Sequence, residues 1–246
     1  MIKEHEQIDD LQLKGLKLIQ DRTLFCFGMD AVLLSNFSKI KEKSSVIDLG
    51  TGNGILPMLL YGKYKASKIV GLEIVKKNSD IAKRNVILNK AEKIIEIINE
   101  DIKNVKSVFE KGKFDYVITN PPYKKRNSGL ININEEKAIA KHEIKCTLED
   151  VISMTSYLLK DLGVIYMVNR PERLADSIEL MRKYKIEPKV IKFVQPYSNK
   201  KPNLFLISGV KYGKVFLNVE TNLIIREQNG EYTKEVLAMY GIERGE

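Results

Sequence analysis

Four consecutive residues in the middle of the chain, Asn120-Pro121-Pro122-Tyr123, could act together on an amino group. An exocyclic amine is a poor nucleophile because its lone pair is delocalised into the ring that carries it. The side-chain oxygen of Asn120 and the carbonyl oxygen of Pro121 could accept its two N–H groups and free that lone pair. Both prolines stiffen the turn, and the Tyr123 ring can stack on a base removed from its helix. The alternative is a proline-rich turn whose tyrosine only packs.

A second segment, Asp48-Leu49-Gly50-Thr51-Gly52-Asn53-Gly54, has glycines at alternate positions. Glycine lets the backbone turn sharply and approach a ligand closely, and the helix that follows offers its N-terminal amides. The dinucleotide-binding fingerprint separates its second and third glycines by two residues, whereas one residue separates them here. The loop and the acid before it instead resemble the motif of class I methyltransferases, which curls around the methionine part of S-adenosyl-L-methionine. A merely tight strand-to-helix turn is the alternative.

Two more acidic residues follow the next two expected strands. Glu73 ends the second strand, where a carboxylate can accept both ribose hydroxyls, and Asp101 follows the third, where it can accept the adenine amine. Ile74 and Ile102 would sandwich the adenine ring. Thr51 of the loop is also expected to contact the cofactor. Taken singly, each acid could be a solvated strand-end residue or a helix cap. Acids after three successive strands together predict a cofactor site.

Short apolar runs alternate with helix-period segments through the middle of the chain. The spacing predicts strands over 45–49, 68–73, 94–98, 114–119 and 164–168, and helices over 55–64, 76–89, 147–160 and from 171 onward. Two β-rich runs at 190–194 and 204–210 predict a closing hairpin with one antiparallel strand. The expected fold is α/β, a class I methyltransferase Rossmann-like fold with a seven-stranded, mostly parallel sheet and an antiparallel C-terminal hairpin.

The organisation of the chain is expected to be simple. No repeat or linker divides it, which predicts a single methyltransferase domain over 1–246, with an N-terminal extension of about residues 1–43 packing on it. The charged N-terminus is unlike a signal peptide, and no apolar run is long enough for a membrane span, so we expect a cytoplasmic protein. Cys26 and Cys146 lie far apart without metal-ligand spacing, which predicts reduced cysteines and no metal.

The charge balance favours a polyanionic partner. There are 41 Lys and Arg against 32 Asp and Glu, a net charge of +9. Six lysines and no acidic residue lie between Pro188 and Lys214, and Lys124-Lys125-Arg126 follows the Asn-Pro-Pro-Tyr turn. These clusters predict a surface that tracks phosphates, with Lys200 and Lys201 among its contacts.

Four further segments extend the resemblance beyond the loop and the turn. They are Phe27–Leu34 (FGMDAVLL), Ala140–Glu143 (AKHE), Asn169–Leu174 (NRPERL) and Gly230–Thr233 (GEYT). With them, the whole chain resembles the bacterial tRNA(Val) adenine-N6 methyltransferases that modify the purine next to the anticodon. Met29 stands where that family has threonine, and Lys141 where it has arginine.

The resemblance implies a cofactor, a substrate and several roles. The cofactor would be S-adenosyl-L-methionine, with S-adenosyl-L-homocysteine as product. The substrate would be tRNA, and the target would be the adenosine at position 37 of a valine tRNA. Phe27 and Asp30 would pack over the methionine end of the cofactor, although Asp30 could instead cap a helix over 31–36. Arg170 would contact phosphate or simply flank a helix start. We expect a monomer or a weak homodimer.

Three other functions fit parts of the pattern. A protein glutamine-N5 methyltransferase could use the same turn, but that class usually adds a helical substrate-binding domain for which the N-terminal extension is expected to be too short. An rRNA guanine or a DNA adenine could replace tRNA as the target. A non-catalytic RNA-binding protein could retain the fold, but the intact Asn120 and glycine loop favour an enzyme.

Overall fold

The computed structural model of the chain describes residues 2–24, 28–121 and 146–242. Its largest feature is a nine-stranded sheet. The strands of this sheet are β3 (Ser45–Leu49), β4 (Lys68–Leu72), β5 (Ile95–Ile98), β6 (Phe114–Thr119), β7 (Leu159–Asn169), β8 (Ile186–Tyr197), β9 (Leu204–Lys211), β10 (Asn218–Val219) and β11 (Leu223–Arg226). A separate two-stranded sheet pairs β1 (Glu6–Asp10) with β2 (Lys17–Asp21).

The strand order confirms the predicted mixed topology. The strands run β5-β4-β3-β6-β7-β9-β8, and β10 and β11 both pair with β8. β9 is antiparallel to both of its neighbours, whereas the other pairs in this sheet are parallel. The predicted number of seven strands was wrong, because β10 and β11 add two short strands. With two and four residues, they are too short to show a hydrophobic alternation in the sequence.

Helices cover both faces of the sheet, as the strand–helix alternation predicts. They are α1 (Met29–Phe37), α2 (Ile55–Lys63), α3 (Lys76–Leu88), α4 (Val105–Val108), α5 (Leu148–Leu158), α6 (Leu174–Lys183) and α7 (Lys234–Met239). One core contains residues of α1, α2, α3 and α7, and the other contains residues of α4, α5 and α6. Val46 and Ile47, neighbours on β3, lie in opposite cores. Within the described part of the chain, no helix is long and apolar enough to cross a lipid bilayer.

The helix starts follow local chemistry. Thr147 begins α5 with a capping box, in which its hydroxyl accepts the Asp150 N–H and the Asp150 carboxylate accepts the Thr147 N–H. Pro171 opens a 3-10 turn that leads into α6, as predicted for a proline at a first helical position. The expected helix over 147–160 is slightly too long, since β7 already begins at Leu159.

The N-terminal extension has more structure than the sequence predicts. Its first part is the β1–β2 hairpin, with Ile8 opposite Ile19, and its second part is α1. The hypothesis that Asp30 caps this helix was wrong. Gly28 occupies the cap position without a side-chain hydrogen bond, and Asp30 lies inside the first turn.

Candidate active site

The carboxyl ends of four neighbouring strands meet at one edge of the sheet, which we call the carboxyl edge. Leu49 of β3 pairs with Leu72 of β4 and Thr119 of β6, and Leu72 pairs with Ile98 of β5. Each of these ends is followed within three residues by a predicted site residue or loop. The register therefore brings together the loop of residues 50–54 (the glycine loop), Glu73, Asp101 and Asn120.

The glycine loop has the shape of a ligand cradle. Gly50, Gly52 and Gly54 have φ angles of +78°, +57° and +85°, which favour glycine. A Cβ atom at Gly50 or Gly52 would meet no atom of the described residues within 4 Å, whereas one at Gly54 would lie 3.2 Å from the Ala82 Cβ of α3. The loop therefore packs on α3 at one end and presents bare backbone to open space at the other.

Glu73 is buried, and each of its carboxylate oxygens accepts a hydrogen bond from a backbone N–H group. Gly52 donates to Oε2 at 2.9 Å, and Val75 donates to Oε1 at 2.7 Å. A carboxylate has lone pairs for further hydrogen bonds, so the residue fits the predicted ribose acceptor. The structure adds a second role that the sequence did not show, because Glu73 also holds the glycine loop in place.

Asp48 is the most unusual group at the carboxyl edge. Its side chain is fully buried, and among the described residues neither carboxylate oxygen has a hydrogen-bond partner of normal geometry. Burial raises the pKa of Asp48 to about 7; the nearby Thr51 hydroxyl opposes this shift, and the negative charge of Glu73 adds to it. Burying a carboxyl without a partner is costly, so the site is suited to a ligand that supplies a donor or a positive charge.

Asp101 acts as a helix cap, one of the roles that the sequence left open. The Lys103 N–H donates to Asp101 Oδ1 at 2.9 Å, at the start of a 3-10 turn. The other oxygen, Oδ2, lies 3.9 Å from the Lys103 ammonium. The predicted bond from Oδ2 to an adenine amine would therefore act alongside the cap.

The two isoleucines expected to hold an adenine ring differ in exposure. Ile74 is 38% exposed, which is high for an apolar side chain, and Ile102 is half-buried against the core beside α5. Asn99, which the sequence analysis did not identify, fixes this segment by donating from Nδ2 to the carbonyl groups of Glu73 (2.7 Å) and Ile74 (3.1 Å). An asparagine directly after a strand, beside two acids, was the available signal.

Asn120 follows β6 and is half-buried. The Thr119 hydroxyl donates to the Leu49 carbonyl at 2.9 Å, which fixes the end of β6 beside the start of the glycine loop. Pro121 is buried and lines a small cavity with Cys146, whose pKa is raised to about 12, chiefly by burial. A thiol with such a pKa stays protonated at neutral pH and cannot serve as a nucleophile.

Several predicted site residues lie outside the described residues. They are Phe27, Pro122, Tyr123, Lys124, Lys125, Arg126 and the segment 140–143. Their assigned roles remain predictions. Among the residues that the structure does describe, no cluster of His, Cys, Asp and Glu could hold a metal ion.

The lysines between Pro188 and Lys214 do not form the expected single surface. Lys200 and Lys201 are exposed in the turn between β8 and β9, at the carboxyl edge, because β8 runs in the same direction as β7. Lys192 pairs with Glu235 at 2.9 Å. Lys211 is buried at the opposite edge and donates to the Leu159 carbonyl at 2.8 Å. The expectation was wrong because β9 runs from the carboxyl edge back to the opposite edge. The lysines before and after this strand therefore lie at different ends of the sheet.

Arg170 has a structural partner at the same edge as Lys200 and Lys201. Its Nη1 donates to the Asn203 carbonyl at 3.1 Å, which ties the end of β7 to the start of β9. The role of flanking a helix start is also present, since Arg170 precedes the turn that opens α6.

A comparison with known families accounts for this arrangement. A family model described as methyltransferase small domain matches residues 27–172. The chain belongs to this family. The matched segment of the methyltransferase small domain runs from α1 past the end of β7, and so contains the glycine loop, Glu73, Asp101 and Asn120 but not the β1–β2 hairpin or β8 to β11.

Named relatives of this methyltransferase span most of the chain. A Porphyromonas gingivalis protein named tRNA1(Val) (adenine(37)-N6)-methyltransferase is 26% identical over 204 residues, which cover 80% of this chain and 79% of that protein. A Tolumonas auensis protein of the same name is 24% identical over 237 residues, covering 92% of each.

Solved structures support the fold of this methyltransferase. A structure described as a predicted O-methyltransferase from Agrobacterium tumefaciens is similar with a TM-score of 0.71 and 21% identity, covering 87% of this chain and 96% of that one. P. horikoshii TYW2 in complex with MeSAdo is similar with a TM-score of 0.59 and 16% identity, covering 86% and 73%. At these identities, the likeness concerns the fold alone.

Proposed function

We propose that this methyltransferase transfers a methyl group from S-adenosyl-L-methionine to the exocyclic N6 amine of an adenine in tRNA. The observation that carries the proposal is that Asn120 and Pro121 follow β6, and that β6 pairs directly with β3, the strand that leads into the open glycine loop. The relatives named tRNA1(Val) (adenine(37)-N6)-methyltransferase support position 37 of a valine tRNA as the target.

The residues at the carboxyl edge fit the proposed cofactor. The bare backbone of Gly50 and Gly52 leaves room for the methionine part, and the unpartnered Asp48 carboxyl offers an acceptor to a positively charged group. Glu73 would bind the ribose hydroxyls with its remaining lone pairs, while Asp101 would accept the adenine amine. When bound, S-adenosyl-L-methionine supplies an electrophilic methyl group on a sulfonium.

The chain's own contribution to the chemical step would be orientation. Asn120 Oδ1 and the Pro121 carbonyl would each accept one N–H of the target amine and so direct its lone pair at the methyl group. Tyr123 would stack on the flipped adenine. No general base is required, because the methylated amine can lose its proton to water. Catalysis would therefore rest on positioning and on preorganised acceptors.

A nucleoside assay tests this function directly. Purified protein, S-adenosyl-L-methionine and unmodified valine tRNA are incubated, and the tRNA digest is analysed by mass spectrometry, as nucleosides for the identity of the product and as oligonucleotides for its position. We expect N6-methyladenosine at position 37, and far less of it over the same time when Asn120→Ala replaces the wild type. Methylation of a guanine in this tRNA, or of DNA or a protein glutamine but not the tRNA when each is supplied in turn, would overturn the proposed substrate.

The arrangement of lysines allows a matched test of the RNA surface. Lys200→Glu with Lys201→Glu reverses two charges at the carboxyl edge, and Lys189→Glu with Lys214→Glu reverses two at the opposite edge, where the Lys189 ammonium contacts the Lys214 carbonyl. Each neutralised phosphate contributes about 0.7–0.9 to the slope of log affinity against log salt. We expect the first variant to lose about one to two such contacts, measured by tRNA titration at several salt concentrations.

The second pair serves as the control for general loss of positive charge. Equal reductions of the slope in both variants would contradict a tRNA-binding surface at the carboxyl edge.

A further inference from the structure

One buried side chain joins the N-terminal hairpin to the glycine loop. Asn85 of α3 is completely buried, and its amide makes three hydrogen bonds to backbone groups. The Ile19 N–H donates to Oδ1 at 2.6 Å, and Nδ2 donates to the Ile19 carbonyl at 3.1 Å. Nδ2 also donates to the carbonyl of Asn53, inside the glycine loop, at 2.9 Å.

A second asparagine, four residues later, makes the same pair of bonds to β2 but not the bond to the loop. The Lys17 N–H donates to Asn89 Oδ1 at 2.9 Å, and Asn89 Nδ2 donates to the Lys17 carbonyl at 2.7 Å. Four residues of a helix rise about 6 Å, and alternate residues of a strand are about 6.6 Å apart. Asn85 and Asn89 therefore pair with Ile19 and Lys17 along one edge of β2, as a neighbouring strand would.

The two asparagines differ in what else they touch. The remaining bonds of Asn89 are to the Asn85 carbonyl and the Met58 sulfur, both outside the glycine loop. Asn85 alone of the two reaches the loop. The Asn53 side chain also approaches the hairpin, where its Nδ2 lies 3.5 Å from Gln20 Oε1.

Other polar contacts fix the hairpin on the same helix. Arg84 of α3 pairs with Glu6 of β1 through two hydrogen bonds of 2.6 and 2.7 Å. Lys77 of α3 pairs with Asp21 of β2 at 2.9 Å. The hairpin is therefore held at several points along α3, so the loss of one asparagine should leave it docked.

We propose that Asn85 is a positioning residue for the cofactor loop, and that the β1–β2 hairpin is through it a part of the cofactor site. This inference rests on the proposed function, since it takes the glycine loop to bind the cofactor. The loop contains three glycines, whose backbone has wide conformational freedom, so its geometry depends on the hydrogen bonds that its surroundings supply. Without Asn85, the Asn53 carbonyl loses its fixed donor, and the loop can leave the geometry that fits the ligand.

The test compares Asn85→Ala with Asn89→Ala. Both variants lose paired hydrogen bonds to β2, but only Asn85→Ala loses the bond to the loop. We expect S-adenosyl-L-homocysteine to bind Asn85→Ala about tenfold more weakly than the wild type, in keeping with one lost buried hydrogen bond. Asn89→Ala should stay within about twofold, although both variants unfold at a lower temperature. In steady-state methylation, Asn85→Ala should raise the KM for S-adenosyl-L-methionine more than it lowers kcat.

Equal affinity of the two variants for S-adenosyl-L-homocysteine, measured by calorimetry, would overturn the inference while leaving the proposed function standing. A wild-type protein that binds no S-adenosyl-L-homocysteine would instead overturn the proposed function and this inference with it. The two failures are therefore distinguishable in one experiment.

Hydrogen exchange supplies a measurement that does not depend on the stability of a variant. Binding of S-adenosyl-L-homocysteine to the wild type should slow exchange in peptides covering 17–21 as well as 50–54, because one side chain bonds both segments. Peptides from β10 serve as the reference for a general effect. Slower exchange in the loop without any change in 17–21 would overturn the coupling.

Discussion

The carboxyl edge of the main sheet and the opposite edge, where the parallel strands begin, differ in how their polar groups are hydrogen-bonded. At the carboxyl edge, Asp48 has no hydrogen-bond partner within the described residues, and Gly50 and Gly52 face open space. At the opposite edge, Asp115 accepts bonds from the Ser45 N–H (2.8 Å), the Ser45 hydroxyl (2.7 Å) and the Lys160 ammonium (2.8 Å). Both aspartates lie on central strands, and within the described part of the chain Asp115 has polar partners whereas Asp48 has none.

This contrast marks the carboxyl edge as the end of the sheet whose polar groups are suited to a ligand. Buried polar groups in native proteins are nearly always hydrogen-bonded, so an exception needs a reason. The Asp115 network closes one end of the sheet and contributes to stability. The glycine loop presents bare backbone at the other end, next to the buried Asp48, at the edge where ligands of parallel α/β sheets bind.

The largest effect is expected for Asn120→Ala. Removal of a preorganised acceptor for the target amine should lower the single-turnover rate of tRNA methylation by about 10²–10³. Binding of cofactor and of tRNA should stay near normal. Rapid-quench methylation with chromatographic identification of the product measures the rate, and a near-normal rate would remove Asn120 from the mechanism.

The next effect concerns Glu73, which holds the glycine loop and is the proposed acceptor of the ribose hydroxyls. Glu73→Ala should weaken S-adenosyl-L-methionine binding by about 1.5–3 kcal/mol, because a charge-assisted bond to the ribose is lost. Glu73→Gln is the milder control, since its amide oxygen can still accept one N–H. Calorimetric affinities of Glu73→Ala that match the wild type would refute the ribose assignment.

A change at the opposite edge should affect stability and leave binding alone. Asp115→Ala removes the acceptor shared by Ser45 and Lys160, which should cost about 1–3 kcal/mol of unfolding free energy. Its cofactor affinity should equal that of the wild type. Urea unfolding and calorimetry on the same preparation check both statements, and weaker cofactor binding would break the contrast between the two edges.

The smallest effect is a pH dependence from Asp48. Its pKa of about 7 in the folded protein lies above the ordinary value of about 4, so between these values the folded state binds more protons than the unfolded state. The free energy of unfolding should therefore fall as the pH rises, by about 1 kcal/mol between pH 6 and pH 8. Asp48→Asn, which cannot ionise, should flatten this part of the profile.

Denaturant unfolding of the cofactor-free protein at several pH values measures this dependence. An identical slope in the wild type and in Asp48→Asn would show that the carboxyl does not titrate in this range.

The sequence by itself determined the sheet core and which predicted site residues meet at the carboxyl edge. The strands 45–49 and 114–119 were predicted to the residue, because each is a short, mostly apolar run with a clear stop. The glycine loop and Glu73 could be placed because each directly follows a strand, and parallel strands bring their carboxyl ends to one edge.

Tertiary structure alone decided how distant segments combine. Asn85 binds Ile19 across 66 residues of sequence, and no local pattern in either segment specifies that partner. The lysines of 188–214 appear as one cluster in the chain, but a strand that reverses direction separates them to opposite edges. Whether a carboxylate is satisfied by its neighbours, as the partly exposed Asp115 is, or has no partner among the described residues, as is the case for Asp48, depends on groups brought close only by folding.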